Sequence, residues 1–258
     1  MSERLDSAIE IAREAGAILR DRFDEPRTIE TKSTAIDLVT DVDRASDALL
    51  VERITHAFPD DSLLTEEAGD VQHGDSGYRW VIDPLDGPPN YAHGFPHFAV
   101  SIGIELHGVR EIGVVYDPIK EELFHAERGR GAQLNGKAIQ VSETESLARS
   151  LLATGFAYDV HTAENSNLEY FRRFLLQARA IRRAGSAALD LCYVACGRFD
   201  GFWELSLHAW DVAAGLLIVD EAGGCSSDLE GGSAPASGAE VVAGNAAIHP
   251  LLLEVIRA

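Results

Sequence analysis

The sequence predicts an α+β fold in which layers of helices and layers of sheet are stacked on one another. Short apolar runs typical of β-strands follow one another through the middle of the chain, from residue 62 to residue 134. Apolar residues recur at helical spacing before and after that region. Because the strands are grouped rather than alternating with helices, the pattern argues against a simple βαβ repeat.

The predicted helices lie towards both ends of the chain. The first spans residues 4–23, and the second spans residues 44–58 and ends before Pro59. The cluster Asp41–Asp43 suits the N-terminus of the second helix, because carboxylates there interact favourably with the helix dipole. Further helices are predicted at 165–178, 186–197, 210–222 and 246–257.

The strands of the central region are separated by turn signals. His107-Gly108 and Asn135-Gly136 each predict a two-residue hairpin turn. The Gly- and Ser-rich stretch 226–238 predicts a surface loop. Strands are predicted at 62–65, 80–83, 98–106, 112–116, 123–126, 132–134, 200–205 and 241–243.

Composition narrows the class of protein. The chain has 258 residues, of which 46% are hydrophobic, so it can bury a large core in one domain or two tightly joined subdomains. A net charge of -20 argues against a direct nucleic-acid partner. Three cysteines make no disulfide framework. Without an apolar signal region or a long apolar run, we expect a cytoplasmic protein with no membrane contact.

One stretch carries most of the chemical signal. An apolar strand ends in Asp83, the chain turns at Pro84, and Asp86 follows three residues after Asp83. Two carboxylates on one tight turn repel each other unless a cation lies between them, and Mg²⁺ prefers oxygen ligands. The Leu85 carbonyl can add another oxygen. The alternative is that both aspartates are ordinary turn and helix-cap residues.

Two further acidic positions favour the metal interpretation. Glu66 follows the apolar run 62–64, and Asp211 stands at the start of an apolar helix. Each of them alone is also typical of a helix cap or an exposed acidic residue.

The order of these motifs resembles the inositol monophosphatase family, closest to bacterial inositol-1-monophosphatases, over nearly the whole chain. The first signature is Asp83-Pro-Leu-Asp-Gly with Asn90-Tyr91, and the second is Trp210-Asp-Val-Ala-Ala-Gly215. Three more stretches agree: Arg128–Gly136, Arg183–Ala188 and Glu221–Gly224. The resemblance implies a layered αβαβα sugar-phosphatase-type fold. It also implies an N-terminal part, residues 1–145, a C-terminal part, residues 146–258, and a homodimer.

The resemblance also implies a role for each matching residue. Glu66, Asp83 and the Leu85 carbonyl would hold one Mg²⁺ ion. Asp83, Asp86 and Asp211 would hold a second, and a third, weaker ion would share Glu66. Asp43, Glu66 and Asp86 would be the catalytic residues. The substrate-binding positions would be Gly87, Pro88, Gly185, Ser186, Ala187, Glu204 and Asp211.

The implied function is Mg²⁺-dependent, lithium-sensitive hydrolysis of a small phosphate monoester, inositol 1-phosphate above all, by metal-activated water. Two alternatives stay open. One is a broad sugar phosphatase that also accepts fructose 1,6-bisphosphate. The other is a catalytically impaired regulatory protein that binds metal, phosphate and a protein partner.

Two adjacent positions depart from the family pattern. Pro88 and Pro89 stand where the family has two threonines. The first of those threonines partners the aspartate that matches Asp43 in orienting the attacking water. Proline has neither a hydroxyl nor an N–H group, so a proton-relay link is lost, and such a link typically contributes about 10²–10⁴ in rate. A slow enzyme, a non-catalytic relative and an altered sequence each explain this change.

Overall fold

We analysed a computed structural model, which describes residues 2–25, 29–31, 38–72, 74–158, 160 and 166–258. The described part contains seven α-helices. They are α1 (Glu3–Asp21), α2 (Asp41–Ala57), α3 (Pro88–Ala92), α4 (Leu168–Leu175), α5 (Ala187–Ala195), α6 (Ala209–Glu221) and α7 (Ile248–Arg257).

A small antiparallel ladder joins β1 (Ile29–Thr31) and β2 (Leu38–Thr40). A larger sheet of eight strands follows in the order β10-β9-β8-β7-β6-β5-β3-β4. Within it, β3 and β5 are parallel and the other neighbours are antiparallel. The strands are β3 (Ser62–Thr65), β4 (Gly69–Gln72), β5 (Tyr78–Asp86), β6 (Ala99–Leu106), β7 (Val109–Asp117), β8 (Glu122–Glu127), β9 (Ala132–Leu134) and β10 (Lys137–Ala138).

A second sheet has five strands in the order β12-β11-β13-β15-β14. Here β11 is parallel to both of its neighbours, and the other pairs are antiparallel. The strands are β11 (Leu151–Thr154), β12 (Ala180–Arg182), β13 (Gly201–Leu205), β14 (Cys225–Ser227) and β15 (Glu240–Gly244).

The elements form five layers. Helices α1 and α2 pack on one face of the eight-stranded sheet, and α5 and α6 lie between the two sheets. Helices α4 and α7 contact each other and the five-stranded sheet. One apolar core lies between α1, α2 and the larger sheet, a second surrounds α5 and α6 between the two sheets, and a third lies between the smaller sheet and α4 and α7. The predicted layered α+β architecture is confirmed.

The burial of each helix follows from its sequence. Helix α1 is capped by the Ser2 side chain and buries one apolar stripe, as an amphipathic helix on a sheet does. Helix α6 instead buries every residue from Val212 to Val219, because sheets cover it on both sides. A helix that lies between two sheets is expected to be apolar on all sides.

Helix α6 approaches the eight-stranded sheet closely, at two glycines. A Cβ atom on Gly103 would lie 2.6 Å from the Ala213 Cβ, and one on Gly113 would lie 2.6 Å from the Ala214 carbonyl oxygen. These two strands therefore carry glycine where the helix backbone crosses them. The crossing fixes the height of α6 above the sheet, and with it the position of the helix N-terminus.

The sequence predictions differ from the structure mainly at short strands. The hairpin turns at His107-Gly108 and Asn135-Gly136 are confirmed, and all four residues have positive φ. The loop predicted at 226–238 is wrong at its start, because β14 extends to residue 227. The sequence pattern does not indicate six short strands of two to four residues each, namely β1, β2, β4, β10, β11 and β12. The subdomain boundary after residue 145 falls between β10 and β11 and stays a prediction.

No helix within the described residues is both long enough and apolar enough to cross a membrane.

Replacing Gly113 with alanine tests the close packing of α6 on the sheet. The added Cβ meets the backbone of Ala214, which cannot rotate away, so we expect the free energy of unfolding to fall by about 1–3 kcal/mol. Urea denaturation measures the change. Val109→Ala, at a half-exposed position of the same strand, is the control and should change it by less than about 0.5 kcal/mol. Equal stability of Gly113→Ala and the parent would contradict the packing argument.

Candidate active site

The site is built around an irregularity in β5. The strand pairs with β6 through Asp83 opposite Ser101 and Asp86 opposite Ala99, so one extra residue of β5 bulges between them. The Leu85 N–H donates to Asp83 Oδ1 at 2.9 Å, and Ser46 Oγ donates to the Pro84 carbonyl at 2.9 Å. The bulge thus presents two buried carboxyl groups at the end of one strand.

Helix α5 fixes the second of these carboxyl groups. The Ser186 hydroxyl and the Ala188 N–H both donate to Asp86 Oδ2, the latter at 2.9 Å. Ser186 is also the N-cap of α5 and accepts a hydrogen bond from the Leu189 N–H. Asp86 is therefore held at the positive end of a helix dipole, which favours a carboxylate there.

Helix α6 brings a third carboxyl group to the same place. Ser101, the β6 partner of Asp83, donates to the Trp210 carbonyl at 3.3 Å and so fixes the start of α6 beside β5. The Asp211 carboxylate accepts from the His208 N–H at 2.6 Å, which orients it across the first turn. One oxygen each of Asp83, Asp86 and Asp211 lies within 4.8 Å of the others.

Glu66 reaches this cluster from the neighbouring strand. Strand β3 runs parallel to β5 with Thr65 opposite Ile82, and the Glu66 N–H donates to the Ile82 carbonyl at 3.2 Å. Glu66 lines the same cleft as Asp83, Asp86 and Asp211, and its charge raises the pKa of Asp83.

The electrostatics of the cluster require a counter-charge. Burial raises the pKa of Asp83 well above its ordinary value, and the charges of Glu66 and its other acidic neighbours raise it further. Burial also raises the pKa of Asp211, and it raises the pKa of Asp86 to about 6 despite the hydrogen bonds from α5. Carboxylate oxygens are the donors that Mg²⁺ prefers, so this set fits a hard divalent cation.

The three aspartates of the cluster line a cleft of about 110 Å³. Two predicted site residues do not line it: Asp43 is buried at the start of α2, and the Leu85 side chain belongs to the core beneath the sheet. The other predicted site residues all line it, namely Glu66, Asp83, Asp86, Gly87, Pro88, Gly185, Ser186, Ala187, Glu204 and Asp211.

Pro88 and Pro89 form the first turn of α3, and both line the cleft. Proline is favoured there because a helix leaves its first N–H groups without partners. The preceding Gly87 has a φ of 98°, and a Cβ on it would lie 2.9 Å from the Gly185 carbonyl oxygen. The local backbone is therefore compatible with the Pro-Pro pair, but this wall of the cleft presents no N–H group at either proline.

The model of the inositol monophosphatase family matches residues 1–258. The chain belongs to this family.

Individual relatives agree with this assignment. The chain is 41% identical to Nus factor SuhB of Escherichia coli over 258 residues, which are 100% of this chain and 97% of that protein. The crystal structure of extragenic suppressor protein suhB from Bartonella henselae superposes with a TM-score of 0.94 at 38% identity, covering 99% of each chain. Inositol monophosphatase from Anabaena gives a TM-score of 0.89 at 41% identity, covering 98% of this chain and 94% of that one.

Asn90 makes hydrogen bonds beside the cleft that the sequence motifs did not reveal. Asn90 Nδ2 donates to the His97 carbonyl at 2.7 Å and to the Ala184 carbonyl at 2.8 Å. It therefore joins α3 to the loop before α5. The motif Asn90-Tyr91 contributed to the family resemblance, but its spacing alone does not indicate this contact.

A buried amide supports the part of the cleft that Gly155 and Glu204 line. Asn167 Nδ2 donates to Thr154 Oγ1 at 2.7 Å and to the Gly155 carbonyl at 2.6 Å, and its Oδ1 accepts from the Trp203 indole at 2.6 Å. Trp203 precedes Glu204, and Gly155 packs against the Glu204 carboxyl. The sequence gives no signal for this network, because its members lie on three separate elements.

Asn167→Ala tests that network. The change leaves the Trp203 indole N–H and the Gly155 carbonyl buried without their partner, and each such group costs about 1–3 kcal/mol. We expect the free energy of unfolding to fall by about 2–4 kcal/mol in chemical denaturation. Gln177→Ala removes an exposed amide near the end of α4 and should have almost no effect. Equal losses in both variants would show that the network does not stabilise the fold.

The raised pKa values predict how stability depends on pH without metal. Asp86 has a pKa of about 6 in the folded protein against 3.8 ordinarily, so the folded state binds more protons between these values. Its contribution to stability is present below about pH 4 and is lost as pH rises through about 6.

Melting curves in EDTA across this pH range measure the effect. Asp86→Asn removes one of the titrating carboxyl groups, and we expect the melting temperature of this variant to fall less steeply with rising pH than that of the parent. Parallel pH profiles would contradict the electrostatic description.

Proposed function

We propose that this protein hydrolyses a small phosphate monoester, most simply inositol 1-phosphate, with two or three Mg²⁺ ions held by its carboxylate cluster. One observation carries the proposal. Asp83, Asp86 and Asp211 come from two distant parts of the chain, and one oxygen of each lies within 4.8 Å of the others in a cleft. The buried Glu204 lines the same cleft. Family membership and the inositol monophosphatase from Anabaena support it.

The chain offers the ligands such ions need. Glu66, Asp83, Asp86 and Asp211 would hold them, with the Leu85 carbonyl as an additional oxygen. When bound, paired divalent cations activate water and neutralise charge on phosphate oxygens. The hydrogen bonds from α5 and α6 keep Asp86 and Asp211 oriented, so that little rearrangement is needed when the ligands are engaged.

The electrostatic field at the cleft also favours an anionic substrate. Helices α5 and α6 both begin at the cleft, and their positive N-terminal ends favour a phosphate group there. Asp43 is proposed to orient the attacking water, as the family resemblance implies. With Pro88 in place of threonine, Asp43 would act without a hydroxyl partner at that position.

The remainder of the cleft favours a monophosphate over a bisphosphate. Beyond the cluster it is lined by two more acidic residues, Asp190 and Glu204. Arg183 is the one arginine or lysine among the described residues that line the cleft. A second phosphate at this part of the cleft would lie beside two acidic groups and have one cationic side chain, Arg183, to pair with. This argues for inositol 1-phosphate over fructose 1,6-bisphosphate.

The family resemblance extends further than the reaction. Inhibition by lithium in place of one cation, a homodimer and a cytoplasmic location are part of this proposal.

A second candidate function is that of a metal-binding regulatory protein. The relative from Escherichia coli is named a Nus factor, and Pro88 removes a hydroxyl that the family resemblance assigns to catalysis. This candidate predicts metal binding with no turnover, and a protein partner in place of a substrate.

Asp83→Asn tests the phosphatase proposal. Asp83 lies at the centre of the acidic cluster, so we expect the variant to lose at least about 10²-fold in Mg²⁺-dependent phosphate release from inositol 1-phosphate. Asp70→Asn, an exposed aspartate on the edge strand β4, is the control and should retain parental activity. No phosphate release by the parent at any Mg²⁺ concentration would favour the regulatory candidate.

Pro88→Thr tests how much the missing hydroxyl costs. Restoring it should raise kcat by at least about tenfold, because an oriented proton-relay group contributes about 10²–10⁴ in rate. Initial rates of both proteins on inositol 1-phosphate give the comparison. An unchanged kcat would show that Asp43 orients the water without this hydroxyl.

A further inference from the structure

The wall of the cleft formed by Pro88 and Pro89 offers no hydrogen-bond donor to a bound phosphate group. Both residues lie in the first turn of α3, and neither has an N–H or a hydroxyl group. Donors aimed at the charged oxygens of a phosphate stabilise it in a site that excludes water. The donor that these two positions lack would have to come from another part of the chain.

Three hydroxyl groups line the cleft within the part of the chain that the structure describes, those of Tyr158, Ser186 and Ser206. Ser186 already donates its hydroxyl hydrogen to Asp86. Ser206 carries its hydroxyl on a short side chain, and its N–H donates to the Ala239 carbonyl at 2.6 Å, which holds its backbone in place after β13. Tyr158 has the longest of the three side chains and therefore the greatest reach into the cleft.

The segment 155–158, which carries this tyrosine, is anchored at its start. All four of its residues line the cleft. Asn167 Nδ2 donates to the Gly155 carbonyl at 2.6 Å, and the Phe156 ring packs against Phe171 of α4, with the ring centroids 5.7 Å apart. Tyr158 is 38% exposed, so its side chain lies at the surface of the cleft and is accessible to a ligand there.

The acidic cluster acts on the Tyr158 hydroxyl. The walls of the cleft surround this side chain although part of it stays open to solvent, and that burial raises the pKa of Tyr158 well above its ordinary value. The charges of Glu66, Asp86, Asp211 and Asp83 raise it further. The phenol therefore keeps its proton at neutral pH and can donate it in a hydrogen bond. Because these four acids are the proposed cation ligands, a phosphate bound to the cations would be held beside the same residues.

We propose that Tyr158 is a catalytic residue whose hydroxyl donates a hydrogen bond to the phosphate group in the cleft, in place of the donors that Pro88 and Pro89 cannot supply. The inference rests on the proposed function, because both require a phosphate group held at the acidic cluster. No covalent bond changes in this step, since the tyrosine keeps its proton throughout. The hydrogen bond strengthens as charge builds up on the phosphate oxygens, so it lowers the barrier to hydrolysis.

A double-mutant cycle tests whether the tyrosine replaces the missing donors. Phosphate release with Mg²⁺ is measured on inositol 1-phosphate for the parent, Tyr158→Phe, Pro88→Thr and the double variant. Tyr158→Phe should lower kcat/KM at least about tenfold in the parent, the loss expected for a hydrogen bond to a charged group. In the Pro88→Thr background the same change should cost less than about threefold, because threonine supplies both a hydroxyl and an N–H group.

Binding of inorganic phosphate gives a readout that does not depend on turnover. Calorimetric titration of phosphate in the presence of Mg²⁺ should give a Kd about tenfold weaker for Tyr158→Phe than for the parent. Tyr170→Phe removes a hydroxyl from α4, outside the cleft, and as the control should keep the parental rate and Kd. Tyr158→Phe should melt within about 2 °C of the parent, because the side chain is not part of an apolar core.

Two outcomes would overturn the role of Tyr158 and leave the phosphatase function in place. One is that Tyr158→Phe changes neither the rate nor the Kd for phosphate. The other is an equal loss in both backgrounds, which would show that the tyrosine does not replace the donors missing at Pro88. A parent that releases no phosphate would instead overturn the proposed function, and phosphate binding would then decide the inference, since an unchanged Kd in Tyr158→Phe overturns it.

Discussion

Repulsion among buried carboxyl groups is the constraint on which the rest of this structure depends. Without the backbone to hold them together, the carboxyl groups of Asp83, Asp86 and Asp211 would move apart or become protonated. The bulge in β5 places two of them, and the N-terminus of α6 supplies the third. Each is held by at least one backbone N–H, from Leu85, Ala188 and His208. Holding these three carboxyl groups together therefore costs electrostatic free energy, which a bound cation would offset.

The layered architecture makes this arrangement rigid. Helix α6 lies between two sheets, and glycines on β6 and β7 allow its backbone to sit directly on the larger sheet. Helix α5 lies beside it in the same layer and is buried along its whole length. Because both helices begin at the cleft, packing in the central layer sets the geometry of the site. The suhB protein from Bartonella henselae has the same fold, with a TM-score of 0.94.

The sequence predicts the acidic cluster well because its members stand at the ends of recognisable elements. Asp83 and Asp86 lie in the last part of an apolar strand, and Asp211 lies in the first turn of an apolar helix, so all three have a defined direction. Asp190 was not predicted, because one acid in an otherwise apolar helix is easily taken for a residue on its solvent side. Only the second sheet, which covers α5, makes that side buried. The strands β11, β12 and β14 are too short to show a period, and pairing with neighbours distant in sequence defines them.

The most direct test of this account is calorimetric titration of Mg²⁺ into the metal-free protein in two buffers of different ionisation enthalpy. The account predicts saturable binding of two or three ions per chain, with a heat that differs between the buffers, because cations displace protons from carboxyl groups of raised pKa. Absence of saturable binding, or saturable binding that Asp83→Asn leaves unchanged, would contradict the central claim that the buried carboxylates form a metal centre.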